Sequence, residues 1–87
     1  MPSEIRVLIV EDDESIREAL CDFLQSEGYN YFCANDGRQA IDLIATKSFD
    51  PTVIVLDLNM PVMSGREFLS ERKRLKLAPA ANIIMLS

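Results

Sequence analysis

The sequence has no histidine and no tryptophan, and it contains only two cysteines. Without histidine, neither a phosphohistidine carrier nor a serine–histidine hydrolase is expected. Cys21 and Cys33 do not form a CxxC pair, so no zinc site is expected, and we predict reduced, partly buried thiols in a cytoplasmic protein. No apolar run approaches the roughly 20 residues that a membrane-spanning helix needs, so we expect no membrane contact.

The composition indicates an ordinary globular domain. Of the 87 residues, 48% are hydrophobic and 26% are charged, with a net charge of −5. Residues 1–60 carry 12 acidic and 4 basic side chains, which argues against direct contact with nucleic acid. The four phenylalanines (Phe23, Phe32, Phe49 and Phe68) are predicted to be core residues, because they do not cluster with basic residues as a nucleic-acid platform requires.

Hydrophobic patterns predict alternating strands and helices. Residues 5–10 and 52–56 are apolar and rich in β-branched side chains, which is typical of buried parallel strands. Apolar residues at helical spacing follow the first strand, and Gly28 is predicted to end this helix in a left-handed conformation. Asp36 is predicted to cap the second helix. The other predicted elements are strands at 29–34 and 82–86 and helices at 38–47 and 65–77.

This order, β-α-β-α-β-α-β, predicts an α/β fold with one parallel sheet and helices on both of its faces. Residues 1–87 are expected to form a single domain. The last residues of the sequence are those of a predicted strand, and we therefore expect the domain to be incomplete.

Acidic residues follow the first and third predicted strands. Glu11, Asp12 and Asp13 come directly after the first strand, and Asp57 ends the third. Ligands of such sheets bind beyond the carboxyl ends of the strands, so these carboxylates are expected to share one cleft if the two strands are neighbours. Two carboxylates about 4 Å apart repel by roughly 4 kcal/mol at an effective dielectric constant of about 20. A site made only of oxygen atoms, with room for water, favours Mg²⁺.

The segments IVEDDESIREAL and VIVLDLNMPVMSG resemble the receiver domain of two-component response regulators. The resemblance extends over the whole sequence and rests on Asp57, Met60, Pro61, Met63 and Gly65 at the spacing of that family. It implies a flavodoxin-like doubly wound sheet with strand order 2-1-3-4, lacking a last helix, strand and helix.

The resemblance also implies a role for individual residues. Asp57 would accept a phosphoryl group from a sensor histidine kinase or a histidine phosphotransfer protein. Mg²⁺ would be bound by Glu11, Asp12, Asp57 and the backbone carbonyl of Asn59, and Ser87 would contact the phosphoryl oxygens. The domain would be a switch and not an enzyme for an external substrate.

Two alternatives remain beside this function. An aspartate-nucleophile phosphatase of the haloacid dehalogenase type would carry D-x-D-x-T on its first strand, whereas here the segment is Asp57-Leu58-Asn59 after the third. An interaction module that keeps the fold without phosphorylation is favoured by the lack of the lysine that the family carries on a fifth strand. We therefore expect phosphorylation of the 87-residue chain to be impaired.

The fourth strand is expected to lie at an edge of the sheet. Its residues 83–86 are all apolar, and neither lysine nor proline interrupts them. Unpaired apolar edge strands recruit partners. We therefore expect a homo-oligomer in which this strand pairs with a second copy.

Overall fold

The computed structural model describes residues 5–47, 49–60 and 62–86. Within these residues the strands are β1 (Arg6–Val10), β2 (Asn30–Ala34), β3 (Val53–Leu56) and β4 (Asn82–Met85), and the helices are α1 (Glu14–Ser26), α2 (Gly37–Ala45) and α3 (Gly65–Leu75). The strands form one parallel sheet in the order β2-β1-β3-β4. This confirms the predicted α/β fold and its strand order, in which β1 and β3 are the central strands.

The main hydrophobic core lies between the sheet and the helices α2 and α3. Leu8, Val10, Ile54 and Leu56 of the central strands are fully buried in it. They contact apolar side chains of both helices and of the loop after α2, among them Ala40, Ile41, Ile44, Phe49 and Phe68. These contacts fix the ends of β1 and β3, which carry the acidic residues.

Two of the four phenylalanines do not belong to this core. Phe49 and Phe68 are buried as predicted, but Phe23 is 58% exposed and Phe32 is 44% exposed. Phe23 lies on α1, which has no buried residue. Phe32 lies on the outer strand β2, where its ring is 5.8 Å from that of Phe49. Helical spacing therefore identified the apolar side of α1, but the other described residues leave much of that side exposed to solvent.

Local signals at the helix ends agree with the sequence. The side chain of Asp36 accepts a hydrogen bond from the N–H of Gln39 at the start of α2, and Gly28 has a φ of 79° after α1. Both predictions are confirmed. Helices α2 and α3 end two residues earlier than predicted, at Ala45 and Leu75. Lys47 and Lys76 follow with positive φ, and this backbone turn ends each helix.

The cysteines were predicted to be reduced, and this prediction is wrong. Cys21 on α1 and Cys33 on β2 form a disulfide. Their separation of 12 residues gave no recognisable disulfide pattern, but α1 folds back over β2 and brings the two side chains together.

Helix α1 has 13 residues, and among the described residues no helix has the length and hydrophobicity of a membrane-spanning segment.

Candidate functional site

The register of the two central strands brings the acidic residues together. Val10 at the end of β1 pairs with Leu56 at the end of β3, so Glu11 and Asp57 leave the sheet side by side. The backbone pairing continues past the strands, because the N–H of Asp57 donates to the carbonyl of Val10 at 3.0 Å. On the other side of β1, the N–H of Glu11 donates to the carbonyl of Ala34 at 3.1 Å.

We refer to Glu11, Asp12 and Asp57 as the acidic cluster. One carboxylate oxygen from each of them lies within 4.8 Å of the others. Glu11 is buried, with 3% of its surface exposed, Asp57 is half-buried and Asp12 is exposed. Sequence analysis predicted this group as a metal site, and the structure brings its three side chains together.

Backbone amides orient two of the three carboxylates. The N–H of Asp13 donates to Oε2 of Glu11 at 3.1 Å. The N–H of Asn59 donates to Oδ1 of Asp57, also at 3.1 Å. Both contacts are short-range turns that follow a strand end, so local backbone geometry holds each carboxylate in place. The carbonyl of Asn59 was predicted as a metal ligand, and the N–H of this residue holds its backbone next to the Asp57 carboxylate.

The acidic cluster raises the pKa of Glu11 above its ordinary value. Burial is the main cause, and the neighbouring carboxylates of Asp57 and Asp12 add to it, while the hydrogen bond from the Asp13 N–H acts in the opposite direction. The three carboxylates lie close together, and a cation bound between them would offset their repulsion.

Arg17 is a residue of the site that sequence analysis missed. Its Nη1 donates to the backbone carbonyl of Glu11 at 2.9 Å and to that of Asp12 at 3.4 Å. Asp13 caps α1 by accepting a hydrogen bond from the N–H of Ile16. A basic residue in the first turns of a helix opposes the helix dipole, and this could have signalled a specific contact.

Gly65 keeps the loop after β3 close to Asp57. A Cβ atom at this position would lie 2.5 Å from the carbonyl oxygen of Asp57 and 2.7 Å from the Cα of Leu58. The Gly65 N–H also donates to the Leu58 carbonyl at 3.0 Å. The backbone approaches too closely for any other residue, which accounts for glycine at this position of the family spacing.

The acidic cluster lines an open cleft of about 500 Å³. Asp13 and Ile16 form one side of it, and Leu86, which follows β4, forms another. The N–H of Leu86 donates to the carbonyl of Leu56 at 2.9 Å, so the end of β4 lies beside that of β3. Ser87, predicted to contact a phosphoryl group, and Pro61, one of the residues on which the resemblance rests, lie outside the described residues.

Comparison with known families identifies the domain. The family described as "Response regulator receiver domain" matches residues 7–87. Among curated proteins, response regulator MprA of Mycolicibacterium vanbaalenii is 44% identical over 63 residues, which are 72% of this chain and 26% of that protein. The cell cycle response regulator CtrA of Brucella ovis is 43% identical over 75% of this chain and 27% of its own length. The chain therefore spans about a quarter of these relatives.

Solved structures show the same fold. Chemotaxis protein CheY4 of Vibrio cholerae matches with a TM-score of 0.82 and 36% identity, over 93% of this chain and 66% of that chain. Response regulator TrrA of Thermotoga maritima, in complex with Mg²⁺-BeF, matches with a TM-score of 0.76 and 36% identity, over 93% of this chain and 67% of that chain.

Proposed function

Since this chain belongs to the response regulator receiver domain family of two-component systems, we propose that Asp57 accepts a phosphoryl group from a phosphohistidine, with Mg²⁺ bound at the acidic cluster. The observation that carries this proposal is the approach of the three carboxylates to within 4.8 Å of one another. Receiver domains are signalling domains, and we propose that this one acts as a switch and not as an enzyme for an external substrate.

The residues at the cleft fit Mg²⁺. Two oxygen ligands of one Mg²⁺ lie at most about 4.2 Å apart, since each metal–oxygen distance is about 2.1 Å. Small rotations of the three carboxylates would close the cluster to that span from its present limit of 4.8 Å. We propose Glu11, Asp12, Asp57 and the Asn59 carbonyl as the residues that hold the ion. The Mg²⁺-BeF complex of the Thermotoga maritima relative is compatible with this choice.

The chain's own contribution to phosphoryl transfer is to hold the nucleophile. A carboxylate oxygen of Asp57 attacks phosphorus, the P–N bond of the phosphohistidine breaks, and the imidazole leaves with the bonding electrons. The hydrogen bond from the Asn59 N–H to Oδ1 limits rotation of the Asp57 carboxylate, and the Gly65 N–H holds the adjacent backbone through its hydrogen bond to the Leu58 carbonyl. When bound, Mg²⁺ neutralises charge on the carboxylate and on the transferring oxygens.

The donor would be a sensor histidine kinase or a histidine phosphotransfer protein in the cytoplasm, and we propose no direct contact with nucleic acid or a membrane. The cleft is open to solvent, which suits a macromolecular donor that presents its phosphorylated side chain from outside. Ser87 is proposed to contact the phosphoryl oxygens. We also propose that the domain forms homo-oligomers through β4.

Phosphoryl transfer to the 87-residue polypeptide is proposed to be slow. Among the described residues, no lysine lines the cleft. Lys47 and Lys76 lie after the C-terminal ends of α2 and α3. This places them near the amino ends of the strands, whereas the acidic cluster lies at the carboxyl ends. Phosphate oxygens would therefore lack a lysine ammonium group, and electrostatic stabilisation by such a group contributes about a hundredfold or more to rate.

The same observation favours a second candidate function, an interaction module that keeps the receiver fold without phosphorylation. Its partners would contact the exposed apolar side chains of β4, where Ile84 is 51% exposed and Met85 is 52% exposed. In that case the acidic cluster would bind a cation but would not undergo transfer.

Incubation with acetyl phosphate and Mg²⁺, followed by intact-mass analysis, tests the proposal. We expect a slowly formed adduct of one phosphoryl group that is absent from Asp57→Asn. Asp42→Asn is the matched control, because Asp42 is an exposed carboxylate on α2 and its variant should react like the wild type. An adduct that survives in Asp57→Asn would contradict the assignment. No adduct after prolonged incubation would favour the interaction module, and continuous release of inorganic phosphate at a high rate would favour a phosphatase.

A further inference from the structure

The disulfide between α1 and β2 has no part in the proposed phosphoryl transfer. We propose that Cys21 and Cys33 are a reversible redox modification site, oxidised by small-molecule disulfides and reduced by thiols, which fixes α1 to the sheet and thereby controls the order of the acidic cluster. This inference rests on the proposed function only where it concerns the metal affinity of the cluster.

Among the described residues, α1 is held against the sheet by half-buried side chains such as Leu20 and Leu24 and by the Arg17 contacts, and the disulfide adds a covalent link to them. None of the residues of α1 is buried, and Ile16 and Phe23 on its apolar side are 46% and 58% exposed. The disulfide joins α1 covalently to β2. Reduction removes this link, and we expect the helix to move more freely relative to the strand afterwards.

Two short paths lead from the disulfide to the acidic cluster. Cys21 lies one turn after Arg17 on α1, and the Arg17 guanidinium binds the backbone carbonyls of Glu11 and Asp12. Cys33 is followed by Ala34, whose carbonyl accepts the hydrogen bond of the Glu11 N–H. Both paths end on the backbone of residues 11 and 12, so movement of α1 relative to β2 acts directly on the segment that carries two of the three carboxylates.

The chemistry needs only thiol–disulfide exchange. The thiolate of one cysteine attacks a sulfur of the small disulfide. A mixed disulfide forms between this cysteine and half of the reagent, and the other half leaves as a thiolate. The thiolate of the second cysteine then attacks Sγ of the first cysteine and releases the remaining small thiolate. The two thiol protons pass to these leaving groups, and two electrons move from the cysteine pair to the small disulfide. Cys21 and Cys33 are both half-buried, so part of their surface is open to such a reagent.

A reversible role also agrees with the proposed cytoplasmic location. Disulfides are rare in cytosolic proteins, because glutathione and thioredoxin keep thiols reduced, and those that form are usually transient and serve catalysis or redox sensing. An intramolecular pair that joins a loosely held helix to a strand suits sensing better than permanent stabilisation.

The test compares the 87-residue chain in oxidised and reduced glutathione, with Cys21→Ser/Cys33→Ser as the matched control. Thiol alkylation and intact mass give the oxidised fraction. Amide hydrogen exchange by mass spectrometry reports the order of α1 and of residues 11–13, and Mn²⁺ titration reports the affinity of the cluster.

We expect complete interconversion, about tenfold or more slower exchange across α1 and residues 11–13 in the oxidised form, and a change of about threefold or more in Mn²⁺ affinity. The double variant should match the reduced form in both buffers. Equal exchange in the two forms, or a disulfide between two chains in place of the intramolecular one, overturns the inference. If exchange differs but neither form binds Mn²⁺, the redox site stands and the proposed metal site fails.

Discussion

At the scale of single residues, Glu11 combines burial with two acidic neighbours. Its raised pKa shows that the folded chain holds this proton more tightly than the unfolded chain does. The stability that Glu11 contributes is therefore fully present below its unfolded pKa and is lost as pH rises through the folded pKa. Metal binding has the opposite pH dependence, because a cation competes with the proton.

Glu11→Gln tests this conflict between stability and binding. Glutamine can still accept the hydrogen bond from the Asp13 N–H, but it carries no charge. We expect the metal-free variant at pH near 7 to gain about 1 kcal/mol in the free energy of unfolding, because repulsion in the cluster is removed. Mn²⁺ affinity should fall about tenfold or more because a ligand is weakened. Urea unfolding and Mn²⁺ titration measure the two effects.

The matched control is Glu14→Gln, since Glu14 is exposed in the first turn of α1. It should change stability by at most a few tenths of a kcal/mol. The stability gain of Glu11→Gln should shrink as pH is lowered through the folded pKa, where Glu11 is already neutral. A gain that is constant across this range would show that charge repulsion is not its cause.

A methyl group at Gly65 should disturb the cluster without touching a carboxylate. In Gly65→Ala the new Cβ would lie 2.5 Å from the carbonyl oxygen of Asp57, so the loop or α3 must shift. We expect a loss of about 2 kcal/mol in stability and weaker Mn²⁺ binding. Gly28→Ala separates this clash from backbone strain: Gly28 has a φ of 79° and no atom within 4 Å of the added Cβ. It should cost about 1 kcal/mol and leave Mn²⁺ affinity unchanged.

At the scale of elements, α3 begins with a complete capping box. The Ser64 hydroxyl accepts the Glu67 N–H at 3.2 Å, and the Glu67 carboxylate accepts the Ser64 N–H at 2.9 Å. Basic side chains occupy the last turn of the helix, where they favour its dipole. Ser64, which follows Val62 and Met63 of the loop, is thereby held by two hydrogen bonds.

Removing this cap gives a prediction for the element. Ser64→Ala should lower the free energy of unfolding by about 1 kcal/mol, because it leaves the Glu67 N–H without its acceptor. Ser70→Ala, an exposed serine within the same helix, should change stability by less than about 0.5 kcal/mol, since alanine favours helices. Thermal unfolding of both variants gives the comparison. An equal loss in the two would mean that the capping box contributes nothing to stability.

Elements were predictable where local rules determine them. The alternation of strands and helices along the chain, the cap at Asp36 and the turn at Gly28 follow from periodicity and from single-residue preferences, whereas the strand order 2-1-3-4 came from the family resemblance. All of them agree with the structure. The position of the acidic cluster followed from the parallel arrangement of β1 and β3. The Cys21–Cys33 bond and the exposure of Phe23 depend on how α1 lies on the sheet, and no local pattern encodes that arrangement. For the contacts of Arg17, the position of a basic residue near the start of the helix was the only local signal.

At the scale of the whole molecule, β4 is an outer strand of the described sheet. Its side chains at Ile84 and Met85 are about half exposed, and Leu86 beyond it is 40% exposed. One face of the strand contacts the core through Ile83, while the other is apolar and open. An outer strand of this kind pairs readily with a second copy.

We predict concentration-dependent association through this strand. Light scattering across a dilution series should show dimers at high concentration, and Ile84→Lys should shift the chain to monomers because it places a charge on the open face. Val62→Lys is the control, since Val62 is 77% exposed but lies in the loop after β3. A monomer at every concentration, or equal effects of the two substitutions, would contradict the proposed interface.

The two ends of the parallel strands differ in their tolerance for engineering. The carboxyl ends carry the acidic cluster, whereas the turn at Gly28 connects α1 to the amino end of β2. A fluorescent reporter inserted in that turn would stand apart from the cleft by the length of the strands. Because this turn comes directly after α1, the fluorescence of the reporter would also show whether that helix is held against the sheet.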